Sequence, residues 1–438
     1  MLTASARRIF IGTACLAAAF VSLAGQSAFA VPSFARQTGF PCAQCHVGAF
    51  GPQLTQFGRD FKLNGYVWND GKGGHVPLAA MLQASLTHTD ADQSGNAAPG
   101  FAPNNNPAVD QMSLFYGGGI ADNLGAFVQV TYNGVAKQLH WDNSDIRYAK
   151  SVQLDGGPLL FGITFNNNPT VQDAWNSTPG WGFPFATSFL APTPVAATAV
   201  DGALAQHVMG AGAYALWNNL VYAEADIYSG LGRDVRGPLG IVPVNGTNSV
   251  DGVIPYWRLA LEHDFGSHYL EVGTFGLSEG VFPGGDKSAG SDRLTDLALD
   301  ATYLYSGSSD YTVTGYVTYI HENQSLSASH VLLGSNSSDA LDTFRINGSY
   351  SWQNTITLSG QHFQTTGSRD AALYGGSPNS AGWTGEIAYV PCGKPDSDFP
   401  NWLNLRMSLQ YTAYTEFNGT GSNASRNNTL YLLLWIAG

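Results

Sequence analysis

Beyond residue ~76 the chain is a succession of stretches about ten residues long in which apolar and polar side chains alternate. A period of two is that of a β-strand with unlike faces. From Tyr311 to Tyr319 one face carries Tyr311, Val313, Gly315, Val317 and Tyr319, and the other Thr312, Thr314, Tyr316 and Thr318. Leu403, Leu405, Met407, Leu409 and Tyr411 likewise alternate with Asn404, Arg406, Ser408, Gln410 and Thr412. A soluble sandwich also alternates. It has no reason, however, to place tyrosines at both ends of an apolar row, whereas a strand crossing a bilayer places aromatic girdles there.

About sixteen such stretches can be counted, beginning near Leu78, Val109, Leu124, His140, Pro158, Gln206, Leu220, Val253, His268, Leu294, Tyr311, Leu341, Thr355, Ala381, Trp402 and Asn428. Links after even-numbered stretches are mostly short, such as Ala121-Asp122-Asn123, Asn218-Asn219 and Gly266-Ser267. Those after odd-numbered ones are mostly long, such as 90–108, 167–205 and 230–252. Short periplasmic turns and long outer loops are the rhythm of an outer-membrane barrel. The pattern predicts an all-β fold, a transmembrane antiparallel β-barrel over residues 77–438. A chain of 438 residues would ordinarily suggest two or three soluble domains; one large closed sheet replaces them.

Residues 1–30 read as an export signal, with Arg7 and Arg8, an apolar run from Ile9 to Leu23 and the cleavage pattern Ala28-Phe29-Ala30. The signal holds two of the 19 basic and none of the 32 acidic residues, so 17 basic face 32 acidic ones, a net charge of −15. That balance argues against nucleic acid and against a basic surface for anionic lipid. After the signal no apolar run is long enough for a membrane helix.

The chemistry of the chain sits in Cys42-Ala43-Gln44-Cys45-His46. C-x-x-C-H is the attachment spacing of a c-type haem: two thiols form thioethers and the adjacent histidine ligates the iron. A disulfide or a thioredoxin-like pair is the alternative, but the latter needs a βαβ context that is absent around Cys42. Cys392 is left over, as a buried or free thiol. Only residues 31–76 separate the signal from the first strand, too few to bury an independent core, so this haem segment is expected to use the barrel lumen as its remaining wall. Pro52, Leu54, Phe57 and Phe61 predict a short helix opened by the proline, its apolar stripe facing either haem or barrel. A sixth iron ligand is open between His75, beyond the flexible Gly71, Gly73 and Gly74, and Met81, which shares lumen parity with Gln83, Ser85 and Thr87. His88 has the opposite parity. Water or no sixth ligand is also open.

Phe34-Ala35-Arg36-Gln37-Thr38-Gly39 leads into this motif, and Leu54-Thr55, Phe57-Gly58-Arg59 and Phe61-Lys62-Leu63-Asn64-Gly65-Tyr66 follow it. Together they resemble the outer-membrane fused cytochrome–porins, which include monohaem iron oxidases of iron-oxidising bacteria. More loosely the resemblance takes in Asn166-Asn167-Asn168-Pro169-Thr170 with Asp173, Trp175 and Asn176, and Leu409-Gln410-Tyr411-Thr412. It implies one haem c on Cys42, Cys45 and His46 inside a porin, oxidation of extracellular ferrous iron, and delivery of the electron to periplasmic carriers. It supplies no sixth ligand and does not fix the donor.

A polar lumen through an insulating bilayer suits such a conduit, with a soluble cytochrome or copper protein as acceptor at the periplasmic mouth. Asp90 and Asp92 are candidate attractors of a hard cation. The stretch 167–205 is expected either to fold inward as a constriction or to form an outer lid. The competing reading is a diffusion porin whose haem is structural or senses redox state, with Arg258, Glu262 and Arg406 tuning solute selectivity; a third keeps the conduit and changes the donor. No nucleophile elbow, P-loop or zinc-protease motif is present.

Overall fold

The computed structural model describes residues 31–241, 247–394, 397 and 403–438. The expected signal over 1–30, with Cys15, lies outside them. Sixteen strands run in chain order: β1 (Leu78–Thr89), β2 (Asn106–Ala121), β3 (Leu124–Asn133), β4 (Gln138–Leu154), β5 (Gly157–Asn166), β6 (Val208–Trp217), β7 (Val221–Gly230) and β8 (Ser249–Asp251 with Val253–Asp264). Then follow β9 (His268–Phe282), β10 (Asp292–Tyr305), β11 (Tyr311–Ser325), β12 (Ser338–Trp352), β13 (Ile356–Gly367), β14 (Ser380–Tyr389), β15 (Asn404–Glu416) and β16 (Thr429–Ala437). Gly252, at φ 75°, divides β8 into two pieces that both pair with β9.

Each strand pairs antiparallel with the next, and β1 pairs with β16 as well as with β2. The sheet therefore closes on itself and leaves no edge. The alternation holds in space. On β15 Asn404, Arg406, Ser408 and Gln410 are buried while Met407, Leu409 and Tyr411 are exposed. On β11 Thr314, Tyr316 and Thr318 face in and Tyr319 faces out. Tyr305, Tyr311 and Tyr350 touch ring to ring near the short-turn end. An outer face of leucine, valine and isoleucine between aromatic rims is a surface for lipid.

The loop rhythm holds with two departures. β3 and β4 are joined at the long-loop end by only four residues, 134–137. The rim there is completed from elsewhere in the chain: Trp141 N donates to Leu239 O at 2.9 Å and Gln138 Nε2 to Gly240 O at 3.0 Å. At the short-turn end, β14 and β15 are separated by 390–403, whose first residues pack on the N-terminal segment through Val390 and Ala49.

Residues 31–76 hold three helices, α1 (Pro32–Thr38), α2 (Cys42–Cys45) and α3 (Gln56–Leu63). They bond to inward side chains or backbone all round the ring, on β2, β4, β6, β11, β12 and β15. Gly119 N donates to Gln37 Oε1 at 2.8 Å, Tyr66 OH to Asp145 Oδ2 at 2.6 Å and Tyr214 OH to Leu63 O at 2.6 Å. Gln53 Nε2 donates to Thr314 at 3.1 Å and Ser349 at 3.4 Å, and Arg406 Nη1 to Phe50 O at 3.1 Å. Most of these partners lie toward the short-turn end.

The stretch 167–207 folds inward, the first of its two expected courses. Trp175 is buried, its Nε1 donating to Glu262 Oε2 at 2.9 Å and Tyr269 OH at 2.6 Å, close to the short-turn end of β8 and β9. The loop thus crosses the depth of the barrel and meets the N-terminal segment: Asn176 Nδ2 donates to Pro52 O at 2.9 Å and Leu54 N to Asn176 Oδ1 at 3.2 Å.

Candidate functional site

The C-x-x-C of the motif is α2, one helical turn, so its two cysteines share a face. His46 leaves the helix in extended conformation, its N bonded to Cys42 O at 2.8 Å. Val47 N then bonds to Gln53 O at 3.1 Å and Thr55 N to Cys45 O at 3.0 Å, folding 46–54 into a small loop. Thr55, and not Pro52 as the sequence suggested, opens α3: its hydroxyl accepts from Gly58 N at 3.2 Å and donates to Gln44 O at 2.6 Å. A threonine cap satisfies a helix donor, whereas Pro52 stands outside the first turn. The cap fastens α3 to the motif.

Gly58 makes that junction possible, because a Cβ there would fall 2.2 Å from the Cys45 carbonyl oxygen. Gly58→Ala is expected to push α3 off the motif and cost about 1–3 kcal/mol of packing, leaving the barrel closed. Limited proteolysis of detergent-purified protein should then cut within 31–76 while the strands stay protected. Equal protection in wild type and variant would disprove the close packing.

Cys45 and His46 line a cavity of about 610 Å³, within the ~300–1,000 Å³ of small-molecule sites. Its lower walls are Phe34, Phe61, Phe115, Phe127, Leu54 and Trp181. Phe34 and Phe61 meet edge to face at 5.2 Å, and Phe34 stacks on Tyr66 at 5.3 Å. The expected apolar stripe therefore divides: Phe61 and Leu54 face the cavity, while Phe57 packs on Phe40 and Trp68. Burial pushes the His46 imidazole down to about 4, against the carbonyls of Gln53 and Gly51, which lie near enough to favour the protonated ring. Among the described residues no atom completes a hydrogen bond to its buried Nδ1. A neutral imidazole and one thiol, that of Cys45, on an aromatic-walled cavity of this size fit a covalently held haem, while Cys42 lies off the cavity wall. Burial raises the Cys45 thiol to about 12, the opposite of an activated redox thiol. Cys42 stands at the back of the turn, where its Sγ accepts from Asn404 Nδ2 at 3.0 Å.

Met81 lines the same cavity as His46. His75 does not; its Nε2 is 2.8 Å from Asp70 Oδ1. Asp90 and Asp92 are tied by neutral donors, Asp90 Oδ2 to Tyr411 at 3.2 Å and Asn428 at 3.0 Å, Asp92 Oδ1 to Asn104 at 3.1 Å. Nothing gathers them into a cation site among the described residues. Arg258, Glu262 and Arg406 keep inward parity, yet line no open passage. Arg258 is closed in by Glu271 (2.9 Å), Asp300 (2.7 Å) and Asp173 (3.7 Å), and Arg406 pairs with Glu386. The inward loop covers the side of the ring that the selectivity reading needed open. Burial raises the Cys392 thiol, whose Sγ accepts from Leu405 N at 3.2 Å.

No protein-family model and no curated protein matches the chain. Among solved structures, the outer membrane channel DcaP of Acinetobacter baumannii superposes with TM-score 0.48 at 10% identity, over 84% of this chain and 99% of that one. An anion-selective porin from Comamonas acidovorans gives 0.45 at 11% identity, over 82% and 98%, and OprB of Pseudomonas putida 0.46 at 9%, over 82% and 93%. Likenesses this distant say nothing about what the chain handles; the barrel rests on its own strand pairing.

Several cavity residues escape the linear reading. The upper walls carry Asp110, His140 and Asp142, and Lys62 reaches the cavity from α3. Lys62 Nζ donates to Val171 O and Asp173 O, both at 2.7 Å, and burial pushes it down to about 7. Register shifts opposite Asp110 and within the β3–β4 pairing break simple parity at these positions. The inward loop brings in the rest.

Proposed function

We propose that this chain is an outer-membrane c-type cytochrome–porin fusion that takes electrons from extracellular ferrous iron and delivers them to a soluble periplasmic cytochrome or copper protein. One observation carries the reading: Cys45 and His46, near the short-turn end, line the same cavity as Asp110 and Asp142 in the long-loop half. Short turns face the periplasm in such barrels, so the motif lies on the acceptor side and the carboxylates on the donor side. Cys42, Cys45 and His46 would hold one haem c, which would supply one-electron transfer. The chain does the rest. Phe34, Phe61 and Trp181 exclude water around the motif, Met81 offers a thioether from β1, and exposed Phe40, Pro41 and Gln44 present the turn at the periplasmic mouth.

The test mixes oxidised, purified protein with ferrous iron in a stopped-flow spectrometer. A reduced c-type spectrum that forms in proportion to iron supports the proposal. Reduction by dithionite but never by ferrous iron sinks that donor. Planar-bilayer recording is expected to show far less current than an open porin, because the N-terminal segment and the loop 167–207 occupy the ring. Porin-sized conductance would favour a diffusion channel instead.

A further inference from the structure

Lys62 is the one lysine or arginine among the described residues that line the cavity, and its charge has no counter-ion there. The residue is 7% exposed. Its Nζ donates to Val171 O and Asp173 O, both at 2.7 Å, and stands 5.2 Å over the Trp181 ring. An ammonium carries three donors, so one is left over. Among the described residues no carboxylate oxygen lies within 4.0 Å of Nζ. The acids that act on it from further off are engaged elsewhere: Asp145 by Arg147 at 2.7 Å, Asp173 by Arg258 at 3.7 Å and Glu224 by Tyr222 OH at 3.1 Å. Buried charges need partners, so this wall is complete only with an anion in the cavity.

The helix that carries Lys62 also carries the contact with the motif. Gly58 packs on the Cys45 carbonyl. Lys62, four residues on, shares that face of α3 and lies about 6 Å further along its axis. Cys45, Gly58 and Lys62 all line the cavity. A haem has two carboxylates, on the porphyrin edge away from the vinyl groups that thiols attack. We infer that Lys62 is the binding residue for a haem carboxylate: its third N–H donates to that anion, while the carbonyls of Val171 and Asp173 hold the ammonium in place. The carboxylate in turn keeps on Lys62 the proton that burial tends to release. The positive charge favours the reduced haem over the oxidised one. This assignment rests on the proposed function.

The test compares the haem-loaded full chain, purified in detergent, with Lys62→Gln and Lys62→Arg. Glutamine keeps N–H donors for the two loop carbonyls and removes the charge; arginine keeps the charge. The resonance Raman band for bending of the haem carboxylates tracks hydrogen bonding to them. It is expected to move to lower frequency in Lys62→Gln and to stay near its wild-type position in Lys62→Arg. In a potentiometric titration the equilibrium constant for haem reduction should fall ~tenfold in Lys62→Gln, a drop of ~59 mV for one electron, and recover in Lys62→Arg. A residue that only tied the loop to α3 would leave both readouts unmoved in Lys62→Gln. Heat-modifiable gel mobility reports whether each barrel has closed, and Lys62→Met replaces Lys62→Gln if the latter does not close. An unchanged band and potential in a closed, haem-loaded neutral variant overturn the inference and leave the proposed function standing. A chain purified without haem overturns both.

Discussion

A Cys42→Ser, Cys45→Ser double variant is expected to close as a barrel and to carry no covalently attached haem. Serine keeps the size of each side chain and removes the sulfur that forms the thioether. Closure should survive, because the ladder from β1 round to β16 uses none of these residues. The helix caps and the contacts of Gln53, Tyr66 and Leu63 are likewise independent of sulfur. Denaturing gels stained for haem peroxidase activity, beside intact mass, give the readout: wild type retains one haem through denaturation, and the variant retains none. A wild-type mass equal to the bare mature chain would refute haem attachment and, with it, the proposed electron transfer. The barrel would stand.

The second large effect is at Arg258, at the centre of the inward loop's anchorage. Its guanidinium is wholly buried, within 2.9 Å of Glu271 and 2.7 Å of Asp300 across the wall, and 3.7 Å from Asp173 on the loop. It also lies 5.0 Å over the Trp175 ring. Arg258→Leu would strand three buried carboxylates, a loss of about 3–5 kcal/mol. Two results are expected: a fall in the temperature at which the folded gel band is lost, and a rise in bilayer conductance as 167–207 detaches from the wall. Adding Asp300→Asn should restore part of the thermal loss by removing one stranded charge. A variant as heat-resistant and as non-conducting as wild type would show that this cluster does not hold the loop.

Much of this molecule could be read along the chain. Alternation at Tyr311–Tyr319 and Leu403–Tyr411 told inward from outward faces because strand geometry alone sends successive side chains to opposite sides. The short turns, such as Asn218-Asn219, gave the phase of the ring. The local shape of 42–46 follows from the chain itself: a single helical turn and one extended residue arrange these five consecutive residues without outside help. What tertiary structure decided is everything that depends on which inward residues meet. Arg258 and Arg406 have the parity of pore-lining residues, yet both are sealed in ion pairs, Arg258 with Asp300 and Arg406 with Glu386. Asp110, His140 and Asp142 come from β2 and β4 but join the cavity of His46 because the sheet curves closed and its register slips beside them. His75 is as free in sequence as Met81, but closure puts Met81 at the cavity, whereas His75 meets Asp70 within its own segment. Parity and contiguous motifs are local properties of a chain; a cavity is a meeting of distant segments, set by closure of the sheet and the path of one loop through it.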